Sequence, residues 1–167
     1  RRLNELVDLE IAPKVRWLSS ISEASKYGDL CIVSTQAEGR CRLVRDISES
    51  LGYKAFLLEK IIGQSTEEIK SLTNFAKEYG LSVWVNCQSR SYAFHRYVKG
   101  KLCLGDPVNI SVIGSNLGLA TNGIHQADLF SFYDGGNQIS KTGASIDPVL
   151  RPSKRKEGIY DLTGTLT

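Results

Sequence analysis

No apolar run in this chain approaches the roughly 18 residues that a membrane-spanning helix needs. The opening Arg1-Arg2-Leu3-Asn4-Glu5 also lacks the long apolar stretch of a signal peptide. The expected location is the cytoplasm, with no membrane partner. Charge of one sign is scarce too: 21 Lys and Arg against 18 Asp and Glu leave a formal +3 over 167 residues. That is too little for the electrostatic footprint of a dedicated nucleic-acid binder, so nucleic acid is not an expected partner. The four cysteines, Cys31, Cys41, Cys87 and Cys103, stand far apart with no Cys-x-x-Cys. Their spacing argues against a zinc site or a disulfide framework and for buried free thiols, so no metal is expected. Internal repeats and low-complexity segments are missing as well. What is there, 41% hydrophobic and 23% charged residues, is an ordinary globular composition, enough for one domain or two small ones.

Three short runs rich in β-branched and aromatic residues, 30–35, 55–59 and 81–87, read as strands buried on both faces. Between the first two, Leu43, Val44, Ile47 and Leu51 fall on one helical face and Gly52 stops the helix. Between the second and third, Ser65-Thr66-Glu67-Glu68 is a capping box. It opens a helix whose apolar stripe is Ile69, Leu72, Phe75, Ala76 and Tyr79, closed by Gly80. Right-handed crossovers make these strands parallel, so Thr35, Glu59, Lys60 and the segment 86–90 converge at one crevice. Upstream, Leu3, Leu6 and Val7 suggest a short helix and 15–18 an edge strand. After Asn86 the alternation changes character, which places a domain boundary near residue 87. The spacing then predicts a helix over 92–102, an alternating strand over 108–114, and a helix capped by Thr121 or Asn122 and running to about Tyr133. A turn at Asp134-Gly135-Gly136-Asn137 follows, then loop, then a strand around 159–163.

Two stretches carry chemistry. Lys60 follows a strand end, where an ammonium can donate to a substrate hydroxyl or lower that hydroxyl's pKa while hydride leaves the same carbon. The plainer alternative is a solvated loop lysine. In Gly123-Ile124-His125-Gln126-Ala127-Asp128-Leu129-Phe130, a histidine and a carboxylate three apart share a helical face. Near the first turn, the helix dipole and burial favour a neutral imidazole suited to a general base, with Asp128 contacting the imidazole or the substrate. The alternative is a satisfied histidine at a domain interface. The one basic run, Arg151-Pro152-Ser153-Lys154-Arg155-Lys156, is a solvated loop or a contact for an anionic substrate such as a sugar nucleotide.

Glu59-Lys60 followed by the Gly-Ile-His-x-x-Asp stretch, in this order and at this separation, resembles the middle of the glucose-fructose oxidoreductase, inositol dehydrogenase and rhizopine-catabolism (Gfo/Idh/MocA) family of NAD(P)-dependent enzymes. The resemblance implies an α/β fold in which an incomplete Rossmann-type parallel sheet is followed by part of an α+β substrate domain with an open, mainly antiparallel sheet. Residues 1–87 would be the C-terminal part of the dinucleotide-binding domain, and 88–167 the N-terminal part of the substrate and oligomerisation domain. The implied activity is hydride transfer between NAD or NADP and a secondary alcohol of a sugar, cyclitol or sugar nucleotide. The implied assembly is a homo-oligomer through the substrate-domain sheet. Lys60 and His125 would be catalytic. Asn122, Thr121, Asp128 and Arg90 would hold the substrate, and Ser34, Thr35, Gln36, Glu59, Lys60 and Gln88 would line the cofactor.

The departures from the family pattern are specific. Ile61 replaces the proline of Glu-Lys-Pro, so the special geometry of a Lys-Pro bond is expected to be absent and Lys60 aimed differently. Gln36 replaces another proline, and Arg40 stands where a histidine is common. Thr121 replaces an aspartate four residues before the histidine, and a hydroxyl cannot stand in for a carboxylate charge. Either another proton relay serves the site or catalysis is weakened, and a catalytically silent sensor or scaffold binding a sugar or nucleotide is the alternative function. No Gly-x-Gly-x-x-Gly follows a strand, so the pyrophosphate cradle of the first βαβ unit is missing. The chain is therefore expected to be a fragment, inactive in isolation.

Overall fold

A computed structural model describes residues 15–103, 105, 107–114, 117–136, 142–152 and 158–167. The helix expected around Leu3, Leu6 and Val7, Asn137 of the expected turn, and Ser153, Lys154, Arg155 and Lys156 of the basic run lie outside them.

The short apolar runs form β1 (Cys31–Val33), β2 (Ala55–Leu58) and β3 (Ser82–Val85), a parallel sheet in the order β1-β2-β3. Two helices make the crossovers, α1 (Arg40–Leu51) and α2 (Thr66–Glu78). Gly52, at φ 75°, ends α1 and donates its N–H to the Ser48 carbonyl. Ser65 opens α2 by accepting the Glu68 N–H at 3.1 Å, while the Glu68 carboxylate reaches back to the Gln64 N–H at 2.8 Å. The helices bury Val44, Ile47, Leu51, Leu72 and Phe75 against Val33, Phe56 and Leu58. Phe56 and Leu58 are fully buried, and each such side chain contributes about 1.5–3 kcal/mol. That packing anchors β2, and with it the position of the residues that follow its end.

Both helices cover the same face, so burial of the strands on both sides does not hold. Ile32, Leu57 and Trp84 stand opposite one another across the sheet. Ile32 and Trp84 are 64% and 54% exposed, because successive strand residues point to opposite faces and only one face carries a helical layer among the described residues. The edge strand expected over 15–18 is irregular chain that leads into a 3-10 turn, Ile21–Glu23, and β1 is left at the edge.

The second half begins with a 3-10 turn, Gln88–Ser91, and the short helix α3 (Ala93–Lys99), within the span expected to be helical. The strand expected over 108–114 is absent. That segment is irregular, with Ile113 96% exposed, since alternation makes no strand without a partner to complete its ladder. Helix α4 (Leu119–Asp134) starts before both expected caps. Its N-cap is Gly118, in the left-handed region at φ 73°, and Thr121 and Asn122 lie in the first turn. Gly135 closes it. The remaining chain, expected to be mostly loop, forms two small antiparallel ladders: β4 (Ala144–Ile146) with β7 (Gly164–Leu166), and β5 (Arg151–Pro152) with β6 (Tyr160–Asp161). The architecture is α/β, a parallel sheet followed by small antiparallel sheets.

All four cysteines are free; Cys41 is buried, Cys31 and Cys87 half-buried, and Cys103 is exposed, contrary to expectation. Among the described residues no helix is long and apolar enough to cross a membrane, and no group of side chains is arranged to hold a metal.

Candidate functional site

The carboxyl ends of β1 and β2 are tied together by a residue that the sequence marked only as an oddity. Arg40, the first residue of α1, is 2% exposed. Its guanidinium donates to the carbonyl of Glu59 at 2.5 Å and to the carbonyls of Ile61 and Thr35. Burial pushes the pKa of this guanidinium down, opposed by the nearby Glu59 and Cys41. The planar fork serves three acceptors where a lysine presents a single point charge. Glu59 in turn accepts from the Asn86 side chain at 2.7 Å, coupling the end of β2 to the end of β3.

Lys60 therefore leaves β2 between two carbonyls held by the same guanidinium. The Lys60–Ile61 peptide bond is cis although no proline is present, which corrects the expectation of an ordinary bond there. The ammonium reaches the opening turn of α4, donating to the Thr121 carbonyl at 2.6 Å and the Asn122 Oδ1 at 3.3 Å. Asn122 is oriented by donating its amide to the Leu117 carbonyl. The strand-end motif and the histidine helix, distant in sequence, thus meet in space.

The first turn of α4 is capped from outside the helix. Asp161, on β6, accepts the N–H groups of Ala120 at 3.0 Å, Thr121 at 3.3 Å and Leu162 at 2.8 Å, together with the Thr121 hydroxyl. Burial works against ionisation of Asp161, but the bonds from the Thr121 hydroxyl and from the Leu162, Ala120 and Thr121 N–H groups outweigh it and hold the carboxyl below the usual carboxylate range. The stability this supplies is present above the ordinary carboxyl pKa and lost as pH falls through the folded one. A carboxylate, that of Asp161, thus sits beside the Thr121 hydroxyl.

His125 falls in the second turn of α4, beyond the reach of the N-terminal partial charge. Its ring is half-buried, and Nδ1 is buried without a hydrogen-bond partner among the described residues. The expected contact of Asp128 with the imidazole is replaced by a two-pronged pair with Arg90, Nε to Oδ2 at 2.8 Å and Nη2 to Oδ1. Arg90 also lies over the Phe132 ring, 5.8 Å from its centroid. Cys87 reports how closely these groups gather. Burial pushes its thiol pKa up, Asp128 and Glu59 add to that, and Arg90 and Lys60 oppose it.

Ser34, Thr35 and Gln36 are exposed at the end of β1, where the Thr35 hydroxyl donates to the Gln36 carbonyl at 3.3 Å. Gln88 is exposed in the turn after β3, its carbonyl accepting the Ser91 hydroxyl. All these groups lie toward the carboxyl ends of the strands. A mainly apolar cavity of about 330 Å³, lined by Leu18, Ile21, Cys31, Ile47, Leu51 and Tyr53 among others, lies at the opposite ends of β1 and β2, away from this chemistry.

The fold is similar to those of two solved structures described as oxidoreductases. A crystal structure of the probable oxidoreductase yhhX superposes with a TM-score of 0.65 at 20% identity, covering 96% of this chain and 50% of that one. A provisionally assigned oxidoreductase from Klebsiella pneumoniae gives 0.61 at 18% identity, with 96% and 47% covered. The chain thus spans about half the length of each. No model of a known protein family matches the chain, and no curated protein does.

Proposed function

We propose that the chain is part of an NAD(P)-dependent oxidoreductase that transfers hydride to or from a secondary alcohol of a sugar, cyclitol or sugar nucleotide. The observation that carries this reading is the reach of Lys60 from the end of β2 to Thr121 and Asn122 on α4. It joins an ammonium to the histidine helix at the edge of the sheet where open α/β folds bind ligands. The groups at the strand ends fit the nicotinamide end of a dinucleotide: Ser34, Thr35 and Gln36 are exposed beside the Thr35 carbonyl that Arg40 occupies, and Glu59 and Gln88 follow the next two strands, β2 and β3. When bound, NAD or NADP supplies the hydride acceptor or donor. Lys60 then donates to the substrate oxygen and steadies its developing charge. His125 Nδ1 lacks a partner among the described residues, which is costly for a buried imidazole nitrogen, and a substrate hydroxyl would satisfy it. Thr121, Asn122, Asp128 and Arg90 shape the substrate side, with residues 1–87 as the cofactor part and 88–167 as the substrate part.

A screen of polyols, sugars and sugar nucleotides with NAD and NADP, followed at the reduced-nicotinamide absorbance, tests the reading in the full-length protein. Turnover with at least one alcohol is expected. Binding of a sugar or nucleotide with no turnover would favour the silent sensor instead. That second reading draws on Asp128 being paired with Arg90 and on the Thr121 hydroxyl being committed to Asp161.

His125→Asn keeps much of the shape of the imidazole but cannot take a proton near neutrality. It is expected to flatten the acidic limb of the pH profile of kcat. A profile and rate both unchanged would assign proton transfer elsewhere and make His125 an interface residue.

A further inference from the structure

We propose that Asp161 is a positioning residue for Lys60: from β6 it fixes the opening turn of α4, so that the Thr121 carbonyl and the Asn122 amide hold the ammonium in place. This rests on Lys60 being the reacting amine as proposed above. Helix N-termini are ordinarily capped by a local Ser, Thr, Asp or Asn, whose side chain takes the free N–H groups. Here the N-cap is Gly118, which has no side chain to offer. Asp161 performs the task from 40 residues away in sequence, taking the Ala120 and Thr121 N–H groups and the Thr121 hydroxyl.

The glycine is part of the device. A Cβ at position 118 would overlap both the Asp161 carboxylate and the Thr121 hydroxyl, and φ there is +73°. A second tie runs from the Leu119 N–H to the Leu162 carbonyl at 2.8 Å, so β6 and the residue after it grip the turn on two sides. The turn they fix presents the Thr121 carbonyl to Lys60 Nζ at 2.6 Å. By helical register that carbonyl also receives the backbone N–H of His125, four residues on. Asp161 thus sets the spacing between Lys60 and His125 without touching either.

The test compares Asp161→Ala and Asp161→Asn in the full-length protein by timed labelling with trinitrobenzenesulfonate and mass spectrometry of each lysine. Losing one net hydrogen bond corresponds to about fivefold, so labelling of Lys60 is expected to quicken by at least about that factor in Asp161→Ala. It should stay near the parent rate in Asp161→Asn, whose Oδ1 still accepts the backbone N–H groups. Lys54, which donates to the Tyr79 carbonyl at 3.1 Å far from β6, is the internal control and should not change. If Asp161→Ala does not fold, Thr121→Val, which removes only the hydroxyl contact, is read the same way. Unchanged labelling of Lys60 in a cooperatively folded variant overturns the proposal.

Kinetics supply an independent arm. Asp161→Ala is expected to lower kcat in the parent but to add nothing once Lys60 is alanine, whereas a purely structural role would cost the same in both backgrounds. An additive loss sinks the positioning role and leaves the proposed activity standing. Labelling that responds while Lys60→Ala keeps full turnover sinks the proposed role of Lys60 in that activity and leaves the contact between Asp161 and Lys60 standing.

Discussion

Lys60→Ala in the full-length protein is expected to lower kcat by about a hundredfold or more, the usual effect of removing a positioned acid/base group. Binding of NAD(P) should survive, because the cofactor-side carbonyls are held by Arg40 and not by the ammonium. The loss should fall on kcat more than on KM, since the charge Lys60 steadies exists on the substrate oxygen chiefly in the transition state. The helix should lose little, as Thr121 and its neighbours remain tied to Asp161. Steady-state kinetics with the substrate returned by the screen decide the matter. Turnover within about threefold of the parent would reduce Lys60 to a strand-end residue that merely braces α4.

The second large effect is on stability. Arg40→Ala is expected to destabilise the fold by about 3 kcal/mol, because truncation removes a buried guanidinium and leaves the part-buried carbonyls of Thr35, Glu59 and Ile61 without their donor. Arg40→Lys should recover only part of this, as one ammonium cannot copy a planar fork serving carbonyls on two strand ends. Arg40→Met should fall between, filling the space and removing the desolvated charge but not the orphaned oxygens. Urea denaturation of the three variants measures the differences from midpoints at constant m. A loss below about 1 kcal/mol for alanine would mean that water replaces the guanidinium and that the clamp is dispensable.

The strands and crossover helices of the first half were legible because a helical layer imposes its periodicity on the residues it covers. Val44, Ile47 and Leu51 could hardly be read otherwise. The same hydrophobicity misled about the far face: Ile32, Leu57 and Trp84 are as apolar as the core, and nothing in their identity says that no helical layer among the described residues lies over them. Lys60, Thr121 and Asn122 were legible as positions, since a strand end and a helix start each carry local signals. Their partners were not. Asp161 stands 40 residues from Thr121 and Arg90 stands 38 from Asp128, and no spacing rule connects such pairs. Arg40 read only as a departure at a position where a histidine is common, because its burial depends on carbonyls from two separate loops. The alternation over 108–114 failed for the opposite reason, being a local signal without the distant strand it required.

The row of the sheet that no described helix covers gives the protein a built-in optical gauge. The chain has two tryptophans, and both Trp17 and Trp84 are more than half exposed. Indole emission moves to shorter wavelength when water is driven away from the ring. With Trp17 replaced by phenylalanine, the colour of the remaining fluorescence would report on the open side of β3 alone. Any longer chain, fusion or second copy that dries this surface would announce itself without a label, at concentrations where association and folding can be followed together.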